Sequence, residues 1–251
     1  MTNRPPHICA VILHYGDPGL TARVHSQLLE GLEPRLQQAV RVLDNAAPET
    51  YAEAWTRLPE NLFWAGALDW TVDHFIRNEP DYTHLWFLNN DVSFSTPGPH
   101  LPKAAARLQW IESRIGTVGV YSPSALRNPY HAQMVRNPDA QIRRTPFVDG
   151  IAPLWNLATL QELGGIDLRG NRQGYGVDIY TSLRQHQAGY GVVVDHQLAL
   201  RHTYHSTARS IPGFLDASAR AEQAYLGSRL GADYKTLLEE LRAQSSDHVK
   251  L

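Results

Sequence analysis

The chain offers almost no sulfur chemistry. Cys9 is the single cysteine among 251 residues, so an internal disulfide and a thiolate metal cluster are both excluded. It sits in the apolar run Ile8–Leu13, where a thiol packs as an inert core group rather than acting as a nucleophile. Long hydrophobic runs are missing too: nothing approaches the ~20 residues that span a bilayer, and Ile8–Leu13 is shorter than a signal-peptide core. Net charge is nearly absent. The 23 Lys plus Arg against 25 Asp plus Glu leave a formal charge of -2, with no global attraction to nucleic acid or an anionic membrane. Two phosphate-binding signatures are also lacking. No Gly-x-Gly-x-x-Gly follows the first apolar run and no Gly-Lys-Ser/Thr loop occurs, which argues against a dinucleotide oxidoreductase or a P-loop NTPase. The expectation is a soluble, cytoplasmic protein with one α/β domain and a helical appendage.

What is present is an alternation of strand-like and helix-like patterns. Ile8 to Tyr15 reads as a buried strand, followed by Asp17 as N-cap and Pro18 at the first helical position. Leu20, Val24, Leu28 and Leu32 then recur every four residues as one helix face. Val40–Leu43 and Thr83–Leu88 read as further strands, with helical stripes at Leu68–Ile76 and Leu101–Ile115 and another strand at Thr117–Tyr121. A short helix near Asn156–Leu163, a helix at Val177–Ala188, a strand at Tyr190–Val194 and a helical tail after Ser210 complete the series. Strands and helices at this spacing predict an α/β fold with a mostly parallel central sheet.

The chemistry gathers at strand ends. The apolar run Leu85–Leu88 stops abruptly in Asn89-Asn90-Asp91, and Val40–Leu43 stops in Asp44-Asn45. Open α/β sheets bind ligands at such carboxyl ends, although an Asx turn that closes the strand has the same appearance. Asp178, His202 and His205 also fall at or near element ends. A carboxylate with an imidazole suits Mn²⁺ somewhat better than Mg²⁺, while substrate and water fill the remaining positions. Taken by themselves these residues have plainer readings: Asp178 as a helix cap, His202 and His205 as surface residues, Trp155 and Tyr175 as core or rim aromatics. Ser122–Pro146, with four prolines and Arg127, Arg136, Arg143 and Arg144, reads as an exposed irregular excursion or as a substrate-facing loop.

Taken together, the motifs resemble the GT-A-fold glycosyltransferases of family 2, particularly the rhamnosyltransferase-like branch. Val11-Ile12-Leu13-His14-Tyr15 is similar to the family's first strand, and Val42-Leu43-Asp44-Asn45 to its second. Asn61-Leu62-Phe63-Trp64-Ala65-Gly66 resembles the Asn-x-Gly-Phe-x-x-Gly segment, and Leu88-Asn89-Asn90-Asp91 a variant Asp-x-Asp motif. Gly164-Gly165-Ile166-Asp167 matches the Gly-Gly-Phe-Asp turn. Gly176-Val177-Asp178 falls where Gly-Glu-Asp is usual, and His202 to Ser206 resembles the closing His-x-x-x-Ser segment. Two departures stand out: Phe63 replaces a glycine and Val177 replaces a glutamate.

The resemblance implies a GT-A-type, Rossmann-like three-layer sandwich over residues 1–210, with a helical C-terminal extension over 211–251. It implies an inverting, metal-dependent glycosyltransferase of cell-surface polysaccharide assembly, at the inner face of the membrane. Donor contacts fall to Tyr15, Asp44, Asn61, Gly66, Asn89 and Asn90. Asp91 with His202 (or His205) would hold Mn²⁺ or Mg²⁺, and Asp178 would be the general base. Apart from the resemblance, Trp155 and Tyr175 could stack on an acceptor sugar, and the excursion's arginines, Arg143 and Arg144 among them, could recognise an anionic acceptor. The implied partners are a UDP-, dTDP- or GDP-linked sugar and a glycan or lipid-linked glycan, with no nucleic acid, and with room for a homo-oligomer or peripheral membrane association. The alternative is a catalytically silent GT-A domain that binds nucleotide sugar or glycan, or scaffolds a biosynthetic complex.

Overall fold

Ile8, Ala10 and Ile12 pack into one apolar cluster and Cys9, Val11 and Leu13 into another, so the first strand is covered on both faces. A computed structural model describes residues 5–171, 173–204 and 213–250. The first half of the chain runs β1 (Ile8–His14), α1 (Pro18–Leu29), α2 (Pro34–Gln37), β2 (Val40–Asp44), β3 (Thr56–Arg57), α3 (Phe63–Asn78), β4 (His84–Asn89), β5 (Val92–Phe94) and α4 (His100–Ile115). There follow β6 (Val118–Ala125), a 3-10 turn (Ala132–Met134), β7 (Ile142–Arg144), β8 (Leu154–Asn156), α5 (Leu157–Glu162) and α6 (Val177–Gln187). β9 (Gly191–His202), α7 (Phe214–Leu230), α8 (Tyr234–Ala243) and β10 (Ser246–His248) close the series.

The strands form one sheet in the order β10-β7-β9-β6-β8-β4-β1-β2-β3, with β5 also paired to β9. β1, β2, β3, β4, β6, β9 and β10 run one way and β5, β7 and β8 the other, so seven of the ten strands share a direction. Val24 and Leu28 of α1 and Leu101, Leu108 and Ile111 of α4 cover one face. Leu68, Val72 and Phe75 of α3, Leu183 of α6, and Tyr225 and Leu238 of the C-terminal helices cover the other. The result is the three-layer α/β sandwich expected. Each fully buried side chain such as Phe87 or Leu88 contributes about 1.5–3 kcal/mol. α1 begins as its sequence dictates: the Gly19 N–H donates to the Asp17 carboxylate at 2.7 Å, and Pro18 follows the cap. Burial pushes the Cys9 thiol up to about 12, so it stays protonated and inert. Among the described residues no helix is long and apolar enough to cross a membrane.

The segment Ser122–Pro146 departs from the expected exposed excursion. Ser122–Ala125 completes β6, Ile142–Arg144 is β7, and Met134, Ala140, Ile142 and Thr145 are buried. Pro123 reads as a breaker, yet it sits beside a register shift between Pro123 and Ser124, where the ladder is already interrupted. Arg143, expected to face an acceptor, is instead engaged within the fold. Its guanidinium donates to both Asp247 oxygens, at 2.8 and 2.9 Å, and to the Gln133 and Val135 carbonyls. That fork ties β7 to β10 and to the loop after β6.

Asp247 also accepts from Asn137 at 2.8 Å and meets His196 Nε2 at 3.1 Å. Burial pushes its carboxyl up, but the hydrogen bonds from Arg143, Asn137 and His196 outweigh it and hold the group well below the usual carboxylate range. Stability from this clasp is therefore complete above the unfolded carboxyl value, about 4, and is lost as pH falls toward the depressed folded one. Asp247→Asn is expected to lower the thermal midpoint at neutral pH, and the gap to wild type should close progressively below pH ~4. A gap independent of pH in melts from acid to neutral would refute the clasp.

Candidate functional site

Parallel pairing sets three strand ends side by side. His14 pairs with Asp44 and Leu13 with Asn89, so Tyr15, Asn45 and Asn90 follow the carboxyl ends of β1, β2 and β4 at one edge. They open onto a cavity of about 480 Å³, which Asn61, Asn89 and Asp91 also line. The opposite wall comes from Asp149, Gly150 and Ile151, from Tyr175 and Asp178 at the start of α6, and from His202 and Tyr204. Phe214 and Glu222 of α7 close it.

Asp91 and His202 meet through the short strand β5. It runs antiparallel to the end of β9, with Val92 opposite His202, and the Thr203 N–H donates to the Asp91 carbonyl at 3.0 Å. That register brings His202 Nε2 to 2.9 Å from Asp91 Oδ1. The other imidazole nitrogen, Nδ1, is buried with no hydrogen-bond partner. The pair fits a phosphate-bridging cation, which takes one or two protein ligands and leaves the rest to substrate and water. Among the described residues no group of three or more His, Cys, Asp or Glu is placed to hold a metal, so a closed all-protein site is not what these residues build.

Asp178 does not cap its helix. The cap position is Gly176, at φ +82°, and Asp178 lies inside the first turn of α6 with Oδ1 buried and unpartnered. Burial pushes its carboxyl up to about 7. The Ile179 N–H opposes this shift, and the neighbouring Asp149 and Glu222 carboxylates add to it. Only glycine fits at 150: a Cβ there would fall 2.7 Å from the Trp64 ring and 3.1 Å from Asp178 Oδ2. Asp149 is itself buried and raised by burial. Its Oδ2 accepts a hydrogen bond from Asn128, while Oδ1 has no partner. Trp64 Nε1 and His131 Nδ1 are further buried polar atoms without partners on this wall. Each such orphan costs about 1–3 kcal/mol, so their convergence on one cavity marks a place built for a polar ligand.

Phe63 shows why the resembled motif carries glycine there. Its φ is +56°, a left-handed conformation that bulky residues rarely adopt. Asn45 and Asn61 brace the turn: Asn61 Oδ1 accepts from the Phe63 N–H at 2.8 Å, and Asn45 Nδ2 donates to the Phe63 carbonyl at 3.2 Å. The Phe63 ring stacks on Phe214 at 5.9 Å, closing the cavity where glycine would leave it open.

Of the residues singled out from sequence, Tyr15, Asn61, Asn89, Asn90, Asp91, Tyr175, Asp178 and His202 line this cavity together. Asp44 does not: it is buried, paired with Arg57 at 2.6 Å, and accepts from the Ala47 N–H, while Asn45 takes the wall. Gly66 lies in the first turn of α3, where a Cβ would meet Leu62 at 3.1 Å, so it serves packing. Trp155 is fully buried in β8, between β4 and β6, and cannot reach an acceptor. Arg143 is held by Asp247, and Arg144 is exposed on the same short strand and does not line the cavity. His205 lies outside the described residues. Sequence reasoning missed Asp149, His131, Trp64, Phe214 and Glu222. Asp149-Gly150 carried a readable signal, an acid beside a glycine after an apolar pair. Glu222 carried none, since one acid on a polar helix looks like any other.

No protein-family profile matches the sequence. Two uncharacterized proteins, from Mycobacterium bovis and Mycobacterium tuberculosis, are each 27% identical over 173 residues, covering 67% of this chain. The match spans 65% of the length of those curated relatives. Among solved structures, a mannosyltransferase from Pyrobaculum calidifontis in complex with GDP-Man and Mn²⁺ superposes with a TM-score of 0.55 at 15% identity, covering 96% of this chain and 76% of the other. GalNAc-T7 with UDP, GalNAc and Mn²⁺ gives 0.64 at 13% identity, covering 94% and 50%. TarS of S. aureus gives 0.54 at 10% identity, covering 93% and 70%. The fold is that of GT-A glycosyltransferases.

A buried carboxyl that ionises near neutrality should weigh on stability. The folded state keeps the Asp178 proton up to about 7, whereas the unfolded chain releases it near pH ~3.9. Its cost to stability thus grows as pH rises between those values and is complete above them. Asp178→Asn removes the charge and is expected to raise the urea midpoint at neutral pH, by an amount that shrinks toward pH ~4. A mutant less stable than wild type at neutral pH would refute this placement of the carboxyl.

Proposed function

We propose that the chain is an inverting, metal-dependent glycosyltransferase, allied to family 2 and its rhamnosyltransferase-like branch. It moves a sugar from a nucleoside diphosphate to a glycan or lipid-linked glycan hydroxyl, in cell-surface polysaccharide assembly on the cytoplasmic side of the membrane. One observation carries the reading: the Asp91–His202 pair and the buried, partnerless Asp178 oxygen share one cavity at the carboxyl ends of a parallel sheet. Similar folds hold GDP-Man with Mn²⁺ and UDP with Mn²⁺.

The residues divide the work by their chemistry. Tyr15, Asn45, Asn61, Asn89 and Asn90 receive the nucleoside at the strand ends, as open α/β sheets do. Asp91 and His202 would hold Mn²⁺ or Mg²⁺, which when bound supplies positive charge against the leaving diphosphate. No arginine or lysine lines the cavity among the described residues, so this pair is the described place where diphosphate charge is met. Asp178 accepts the proton of the attacking hydroxyl. With its carboxyl near 7, it is both substantially ionised at neutral pH and basic enough to take that proton. A single displacement of this kind inverts the anomeric centre. Tyr175, beside Asp178, offers a rim for the acceptor. The silent-domain alternative draws on Val177, which removes the carboxylate that the resembled motif carries there. That side chain is fully buried in the core, and Asp149, Asp178 and Glu222 still bring carboxyls to the cavity, which favours the enzyme.

Calorimetric titration with UDP and GDP tests the donor half. Asp91→Ala and His202→Ala should each abolish the Mn²⁺-dependent increment of affinity, while thermal melts show the fold retained. An undiminished increment in both variants rules out the pair.

The base is tested by turnover against pH. Wild-type kcat should rise through about pH 7 to a plateau, because the reactive form is the carboxylate. Asp178→Asn should lose ~10²-fold or more in kcat with donor affinity little changed. Full activity in that variant would exclude Asp178 as the base.

A further inference from the structure

At the mouth of the cavity, Tyr130 holds its ring out to solvent. It is 53% exposed, and among the described residues no other aromatic that lines the cavity is as open. A single exposed tyrosine needs no explanation by itself, but this one is fixed in place. The buried Asn128 carbonyl oxygen accepts from the Tyr130 N–H at 3.0 Å and from the His131 N–H at 2.9 Å, while the Asn128 amide donates to Asp149. The Tyr130 ring meets Tyr204 edge to face at 5.7 Å, and the Tyr204 hydroxyl donates to the Arg127 carbonyl at 3.1 Å. One asparagine and one aromatic neighbour thus hold an exposed ring at the entrance. Tyr175 is close enough to Tyr130, Asp178 and Asp91 to feel their charges, so the exposed ring borders the approach to the proposed base.

The charge around that approach has one sign. Asp91, Asp149, Asp178 and Glu222 line the cavity, and among the described residues no lysine or arginine does. Arg127 is exposed and outside the lining, and it is its carbonyl, not its guanidinium, that Tyr204 bonds. With Asp91 and His202 given to the metal and diphosphate, three carboxyls remain for a molecule lying against Tyr130. A carboxylate or phosphate brought beside them would meet like charge in a poorly solvated wall. A hydroxyl would instead donate to the partnerless Asp149 Oδ1. A pyranose ring offers both halves of the match: apolar C–H groups on one face for the tyrosine ring, and donor hydroxyls around its edge. We infer that the mouth binds a neutral pyranoside as acceptor, stacked on Tyr130, and rejects uronate or phosphorylated sugars as the reacting residue. The inference rests on the glycosyltransferase reading above, and it replaces the anionic acceptor suggested by the arginines of Ser122–Pro146.

The test uses the full chain with Mn²⁺ and whichever of UDP and GDP binds more tightly. The probes are the methyl pyranosides of glucose, galactose and mannose, each matched with its uronate and its 6-phosphate. Saturation-transfer NMR should show magnetisation passing from aromatic protons to ring C–H protons of at least one neutral pyranoside. In titrations that pyranoside should bind about five-fold or more tighter than both of its acidic counterparts. Tyr130→Ala should weaken it about three-fold or more, the size of one aromatic contact, whereas Tyr130→Phe keeps the ring and should stay within about two-fold of wild type. Leu126→Ala, exposed on the same loop but outside the cavity lining, should bind as wild type does. The inference is overturned if no neutral pyranoside binds, if the preference over the acidic forms is smaller than this, or if Tyr130→Ala binds as wild type does. An equal loss in Tyr130→Phe and Tyr130→Ala overturns the stacking role as well. Should Tyr130→Ala fail to fold, Tyr130→Phe and the neutral-to-acidic preference still decide it. Absence of any UDP or GDP binding would instead strike the proposed function itself.

Discussion

The site depends on the pairing of one short strand. β5 is three residues long, yet its antiparallel register with β9 puts Val92 opposite His202 and so brings His202 against Asp91. Those two side chains stand more than a hundred positions apart in the chain. Backbone pairing is a stiff way to join them, because a slip of one residue would turn His202 to the other face of the strand. β9 can extend that far because it is a long strand, parallel to β6 along much of its length and clasped by β7 at its start. The β7–β10 clasp around Arg143 and Asp247 therefore supports the same strand that delivers the histidine. The C-terminal segment belongs to this arrangement, since β10 completes the clasp and α7 brings Phe214 and Glu222 to the cavity.

A second constraint is electrostatic. Asp149, Asp178 and Glu222 sit together in a poorly solvated wall, and burial pushes each carboxyl upward. An apolar replacement would fold more easily, and the orphaned oxygens and nitrogens on this wall oppose folding rather than assist it. Such strain is tolerable because the two apolar clusters on either face of the sheet are extensive. The same environment that penalises Asp178 as a charge makes it a better proton acceptor than a solvated carboxylate. Phe63 belongs to the same pattern: a left-handed backbone is held by two asparagines so that an aromatic ring can close the cavity.

Much of the fold was legible in the chain. Continuous apolar runs located β1, β2 and β4 to within a few residues, recurring apolar stripes located α1 and α4, and the Asp17–Pro18 start of α1 holds in the fold. The short strands β3, β5, β7, β8 and β10 were not legible, since two or three residues carry no periodicity. β8 is too short to announce itself, so only the fold decides between the two readings of Trp155: it is a core side chain on a strand between β4 and β6. Missing β7 left Arg143 and Arg144 on an imagined loop. Asp44 failed for a different reason: Arg57, thirteen residues on and with no motif to announce it, takes its carboxylate.

The sequence by itself determined which residues could bear the chemistry, because apolar runs that stop in amides and carboxylates put polar groups at strand ends whatever the topology. It determined the layers as well, since burial on two faces follows from the pattern of β1 and β4 alone. Only the tertiary structure decided which polar groups meet. Asp91 with His202 and Asp149 with Asp178 are each joined by a register or a helix packing. Those arrangements are energetically cooperative over the whole sheet and leave no local mark on the residues that they bring together.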